Sequence, residues 1–229
     1  MLTKNVIKVC KVFSMTGKYL KLASNKEADL DNLKISWSNE IISLFKMKIK
    51  IIGNPMNVEE AFLLVGNHIS YLDIPILLNS VPEISFVCKN EVKSWPIIGQ
   101  AASKAQTIFV ERNNGLSRSL AKNKIASTLM EKKPKVVIFP SGTTSIKTSS
   151  SWKKGAFEIA ENYNIKLQPF RIKYHPLRHV AYVGNDNLLI HMYQLLHLDE
   201  INVTLEFHEA VSITNILEDC SYWKNWCEQ

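Results

Sequence analysis

His68 and Asp73 stand five residues apart in the stretch VGNHISYLD, Val65 to Asp73. Directly before them, the apolar run Ala61–Val65 (AFLLV) reads as a buried strand, and the residues from Leu72 onward read as a helix. An imidazole and a carboxylate on a turn between strand and helix suit general-base catalysis. The ring takes a proton from a hydroxyl, while the Asp holds the other ring nitrogen and stabilises the imidazolium. One His and one Asp at that spacing also arise by chance, so the pair alone leaves a structural role open.

Three further stretches place reactive or charged groups at predicted strand ends. In FVCKNEVKSWPIIG, Phe86 to Gly99, Lys89 follows a strand, and Pro96 and Gly99 interrupt the helix after it. In TIFVER, Thr107 to Arg112, Arg112 closes a strand. In VVIFPSGTTS, Val136 to Ser145, a strong apolar strand runs into Pro140, Ser141, Gly142 and Thr143. Gly142 permits close backbone approach, and amides beside it could cradle an anion or a developing oxyanion. Each stretch has a plain reading too: Lys89 and Arg112 as surface cations, and Pro-Ser-Gly as a turn.

The elements around these groups alternate. The pattern predicts strands at 48–52, 61–65, 84–88, 107–110, 136–139, 167–172, 180–183 and 201–207. Helices are predicted at about 72–80, 92–103, 117–132, 152–163 and 188–197. Such alternation argues for an α/β fold with a largely parallel central sheet flanked by helices, in which functional groups gather where strands end. Ahead of this domain, at residues 48–229, lies an N-terminal appendage at residues 1–47. Residues 4–22 carry one stripe of Lys4, Lys8, Lys11 and Lys18 and another of Val6, Val9, Phe13 and Leu20. A second helix is predicted from Ile35 to Met47, with Ser24–Asn32 as the connection. A basic amphipathic pair of this kind fits a membrane surface, and it equally fits helices packed on their own domain.

With 229 residues, 46% of them hydrophobic, the chain is long enough for one sizeable core. Its mean hydropathy is near zero. No apolar run approaches the ~20 residues of a spanning helix, and the N-terminus lacks a secretory pattern. Cys10, Cys88, Cys220 and Cys227 are scattered without a CxxC pair, which suggests neither a zinc site nor a disulfide framework. The net charge of +7 is uneven: +6 over residues 1–50 (ten Lys against four acids), +8 over 51–179 (seventeen Lys and Arg against nine), and −7 over 180–229 (one Lys against eight). The basic front implies an anionic partner or simply a solvated basic surface.

Taken together, the four stretches resemble the glycerophosphate acyltransferase family, in particular bacterial 1-acylglycerol-3-phosphate acyltransferases. The family's first motif, NH, four residues, then D, is matched by Asn67, His68 and Asp73. Lys89, Pro96 and Gly99 match its next segment, and Ile108–Arg112 its apolar–Phe–apolar–x–Arg motif. The third motif, usually FPEGTRS, is FPSGTTS here, and IKLQPF, Ile165 to Phe170, matches the fourth. The resemblance runs from about Ile35 to Ile213. It implies transfer of an acyl group from acyl-CoA or acyl carrier protein to a lysolipid hydroxyl, without a covalent acyl-enzyme, a metal or a cofactor. It implies His68 as the base and Asp73 as its partner. Asn67, Lys89, Arg112, Ser141, Gly142 and Thr143 then bind substrate, the two cations holding an acceptor phosphate. It also implies a peripheral protein on the cytoplasmic face of the inner membrane, partnered by anionic lipid and the acyl carrier. Ser141 stands where the family has Glu and Thr144 where it has Arg. This departure keeps two alternatives open, a lyso-ornithine lipid acceptor and a non-catalytic membrane-binding relative.

Other constellations carry less. Ser141 lacks the flanking glycines of a hydrolase elbow. His175 and His179 flank Pro176 with no acidic cluster beside them. His191, His197 and His208 read as ordinary surface histidines, and Trp223 and Trp226 as packing or interface residues. No phosphate loop, dinucleotide fingerprint or nucleic-acid motif occurs, so no nucleic-acid partner is expected.

Overall fold

The strands that carry the strand-end groups read as near-continuous apolar runs, and this dictates where they sit. Parallel strands covered on both faces lose the inside–outside alternation. In the computed structural model, which describes residues 2–56, 61–81, 83–111, 114–132, 135–146 and 152–229, β2 (Phe62–Gly66) and β5 (Lys135–Ile138) are buried along their whole length. They lie at the centre of a seven-stranded sheet. The other strands are β1 (Met47–Ile52), β3 (Ile84–Lys89), β4 (Ile108–Val110), β6 (Lys166–His175) and β7 (Ile201–Phe207), in the order β1-β7-β6-β2-β5-β3-β4. Five strands, β6, β2, β5, β3 and β4, run parallel. β7 is antiparallel to β6, and β1 is parallel to β7. The carboxyl ends of five strands therefore share one edge.

The helices are α1 (Leu2–Leu22), α2 (Leu30–Leu44), α3 (Asp73–Ser80), α4 (Ile98–Lys104), α5 (Gly115–Lys132), α6 (Gly155–Asn162), α7 (Leu177–Val180), α8 (Leu188–Leu195) and α9 (Ile216–Glu228). Strand alternation divides the core. Phe62, Leu64, Val137, Phe170 and Ile172 face a cluster covered by α1, α2, α3 and α8. Leu63, Val65, Val136, Ile138 and Leu167 face one covered by α5, α6 and α9. α1 and α2 sink Val12, Met15, Ile41 and Phe45 into the first cluster. They are thus packed on the sheet domain, while Val6, Ile7 and Leu22 stay exposed.

Four expectations are corrected. Residues 180–183 form no strand: the apolar Val180 and Ala181 are buried at the end of α7, whose turn closes through Ala181 N–H to Leu177 C=O at 2.9 Å. The helix expected at 92–103 is broken at Trp95–Ile97 into a 3₁₀ turn (Asn90–Ser94) and α4, with Ile97 at φ +62°. α2 begins five residues earlier than expected, because Asp29 accepts from the N–H groups of Asp31 and Asn32 and caps it. α9 falls where no helix is expected, although Asn215 caps it by accepting from Leu217 and Glu218.

Gly66 ends β2 beside the site. A Cβ there meets Phe170 C=O at 2.4 Å and the Phe170 ring at 2.6 Å. The obstacle is strand backbone paired in register, Gly66 opposite Phe170, so it cannot yield cheaply. Gly66→Ala is expected to cost about 1–3 kcal/mol, lowering Tm in a thermal melt by roughly 5 °C. An unchanged melt contradicts the tight β2–β6 approach.

Candidate active site

The turn from β2 into α3 is built around Asp73. Its carboxylate is fully buried, a position that an acid tolerates only when hydrogen-bonded. Four donors meet it. Oδ2 accepts from Ile69 N–H at 2.8 Å, Ser70 N–H at 3.2 Å and His68 Nδ1 at 2.7 Å. Oδ1 accepts from the Tyr174 hydroxyl at 2.6 Å. Asp73 is also the first residue of α3, where the helix dipole favours an anion. The loop thus wraps its own carboxylate, which explains why five residues suffice to bring acid and ring together.

An acceptor-only carboxylate at Nδ1 assigns that nitrogen its proton and leaves Nε2 as the basic nitrogen. His68 is partly exposed, at 19% of its side chain, so the ring is reachable from solvent. Its plane is fixed by stacking on Phe139, with centroids 4.0 Å apart and planes 11° apart. Phe139 in turn contacts Phe86 and Phe170. The loop backbone is tied on two sides: His68 C=O accepts from Ser145 N–H at 2.8 Å, and Ile69 C=O from Tyr182 N–H at 3.0 Å. Such ties hold the ring in one orientation while leaving it open to solvent.

Asn67 lies beside His68, but both ends of its amide are engaged. It donates to Ile172 C=O at 2.8 Å and accepts from Ile172 N–H at 2.8 Å. It mimics a further strand residue pairing with β6 and anchors the loop. Lys89 ends β3 with its side chain exposed, and its backbone pairs with Val110, two residues before Arg112. Arg112 itself lies outside the described residues. Ser141 is buried, and its hydroxyl donates to Thr143 C=O at 2.8 Å. Gly142 takes φ +73°, and its N–H donates to Phe139 C=O at 3.0 Å. That amide closes the turn, so it is not aimed at a ligand. Thr143 is exposed at the tip.

Sequence reasoning missed Tyr174, Phe139, Tyr71 and His191 as parts of this region. The Tyr71 hydroxyl lies 3.0 Å from His191 Nδ1, and His191 Nε2 lies 3.2 Å from Ala181 C=O. The carbonyl makes Nε2 the protonated nitrogen, so Tyr71 donates to Nδ1. Burial raises the Tyr71 phenol and lowers the His191 imidazole. This pair ties the middle of the loop between β2 and α3 to α8, so His191 is no surface histidine. His208 likewise packs edge-on against Trp223 at 4.7 Å. The period of two in β6, where Phe170, Ile172 and Tyr174 share the buried face, is the signal that could have found Tyr174. No cluster of three or more metal-ligating side chains occurs among the described residues.

The acyltransferase family model matches residues 48–173, just over half of the chain. The lyso-ornithine lipid O-acyltransferase of Pseudomonas aeruginosa is 30% identical over 180 residues, 76% of this chain and 68% of that protein. The chain belongs to the acyltransferase family. The 1-acyl-sn-glycerol-3-phosphate acyltransferase of Neisseria gonorrhoeae is 30% identical over 49% of this chain and 44% of its own. In fold, the chain matches the crystal structure of the 1-acyl-sn-glycerophosphate acyltransferase of Thermotoga maritima with a TM-score of 0.68. That match covers 99% of this chain and 92% of the other, at 20% identity.

Proposed function

We propose that this chain is a membrane-associated lysolipid O-acyltransferase in which His68 is the general base. The observation that carries the reading is the Asp73–His68 pair at the shared carboxyl edge of five parallel strands, in a chain of this family. His68 Nε2 takes the proton of the acceptor hydroxyl as its oxygen attacks the thioester carbonyl. The C–O bond forms, and a tetrahedral oxyanion results. Collapse of that intermediate breaks the C–S bond, and the leaving thiolate takes the proton back from the imidazolium. Asp73 holds the ring and offsets its transient charge throughout. The donor is acyl-CoA or acyl carrier protein, and no cofactor or metal takes part.

Lys89 and Arg112 hold the acceptor's anionic head, and the Ser141–Thr143 turn shapes the acceptor side. Asn67 acts through the loop it anchors. The apolar residues Val6, Ile7 and Leu22 of α1 dip into the lipid, with Lys8, Lys11 and Lys21 meeting anionic headgroups. No helix among the described residues is long and apolar enough to cross a membrane, which supports peripheral attachment. The cytoplasmic face of the inner membrane is where the acyl donor is available.

Two acceptors are favoured by different observations. A cation at a strand end suits the phosphate of 1-acylglycerol-3-phosphate, which leads to phosphatidic acid. The long match to a lyso-ornithine lipid O-acyltransferase, and Ser141 in place of a carboxylate, favour lyso-ornithine lipid, whose carboxylate the same cation can hold. Thiol release from palmitoyl-coenzyme A on anionic vesicles containing either lysolipid, with products weighed by mass spectrometry, decides between them. A product whose mass exceeds its lysolipid by one palmitoyl group is expected from one acceptor in at least ~10-fold preference. Absence of product with both, under either donor, overturns the reading.

A further inference from the structure

We propose that Tyr174 is a positioning residue of the catalytic pair, engaging Asp73 Oδ1 and so setting how strongly the Oδ2 that faces His68 draws on the ring. The inference rests on the reading of His68 as the base. Among the described residues, three donors, two of them rigid backbone N–H groups, meet Oδ2, whereas Tyr174 alone meets Oδ1, at 2.6 Å. Without that hydroxyl, the second oxygen is buried without a partner. Asp73 is 0% and Tyr174 6% exposed, so water does not readily replace the lost donor. Tyr174 comes from β6, on the opposite side of the carboxylate from the loop that supplies the other donors. The carboxylate is therefore clamped between two elements distant in sequence.

The donor is always available. Burial first, and the Asp73 charge second, raise the Tyr174 phenol well above its ordinary range, so it stays protonated and donates. Among the described residues, the titratable groups acting on it are Asp73 from α3 and Tyr71 from the loop, with His68 on the other oxygen of Asp73 and Tyr182 and His191 against Tyr71. A hydrogen bond to the far oxygen also draws negative charge away from the oxygen that faces His68. Tyr174 thus sets the strength of the Asp73–His68 contact, while the backbone N–H groups of Ile69 and Ser70 hold its direction. It does not touch the acyl or acceptor groups.

The test is Tyr174→Phe, which removes one oxygen and keeps the ring. The His68 titration is followed in ¹⁵N-histidine-labelled protein, its signal assigned by its loss in His68→Gln. With the donor gone, Asp73 concentrates more charge toward the imidazolium. The His68 midpoint should rise by about half a pH unit or more. On the lysolipid that yields product, kcat should fall by roughly 10-fold or more, because the more strongly held imidazolium gives its proton to the departing thiolate less readily, with KM for both substrates within about twofold, and the acid limb of kcat/KM should move up with the midpoint.

A merely structural tyrosine would lower the folded fraction without moving that midpoint. If Tyr174→Phe does not fold, 3,5-difluorotyrosine installed at position 174 keeps the ring and strengthens the donor, and the midpoint should move down. A midpoint unmoved in the variant that folds overturns the proposal. Activity surviving in His68→Gln would instead strike the general-base reading, while the titration still judges the Tyr174–Asp73 link.

Discussion

His68→Ala should lower kcat for acyl transfer by ~10²–10⁴-fold, the usual range for a general base, while the protein remains folded. The imidazole is partly exposed and, among the described residues, makes one side-chain hydrogen bond, to Asp73, so its removal opens no large cavity. What is lost is the proton acceptor for the attacking hydroxyl and the proton donor for the departing thiolate. KM for the lysolipid should change little, because the strand-end cations assigned to its anionic head are untouched. The assay is thiol release on lysolipid vesicles beside a thermal melt. A variant melting within a few degrees of wild type yet retaining more than a tenth of its kcat would falsify the role given to the ring. The stack on Phe139 sharpens the expectation: His68→Phe restores the ring contact without a nitrogen and should remain as inactive as Ala.

Much of this site is legible in the amino-acid sequence alone. The NHxxxxD spacing, the strand ends at Lys89 and Val110 and the turn at Gly142 stand out because each combines local chemistry with a local element boundary. The parallel sheet is legible from short apolar runs alternating with helical patterns. What escapes depends on long-range pairing. Tyr174 lies 101 residues from its partner Asp73, and His191 120 residues from Tyr71. The period of two in β6 marks Tyr174 as buried, but no local window shows that it meets a carboxylate, or that Tyr71 meets an imidazole. The same limit explains the misread run at Val180, whose apolar residues are equally content in a buried helical turn and in a strand. It also explains the functional reading of Asn67. An Asn beside a catalytic His invites a substrate contact, yet its amide is spent on the Ile172 backbone. Only pairing with β6 could reveal that.

The largest structural consequence should follow from Asp73→Asn, and the donors around it say which way the amide will turn. If Nδ2 took the place of Oδ2, it would face the N–H groups of Ile69 and Ser70, donors that cannot rotate. If Nδ2 takes the place of Oδ1, it meets the Tyr174 hydroxyl, which can rotate and accept. The second arrangement wins, so the carbonyl stays toward His68 and the Nδ1–H tautomer survives. Activity then falls because the imidazolium has lost its charged partner, by ~10²–10⁴-fold in kcat. Stability falls as well, since hydrogen bonds to a charged group are worth roughly 1.5–3 kcal/mol each and become neutral ones. A Tm drop of several degrees is expected. Because the two residues act as a unit, His68→Ala combined with Asp73→Asn should be no slower than His68→Ala alone. If the two losses instead multiply in the double variant, Asp73 does not act through His68, and the carboxylate has a separate task.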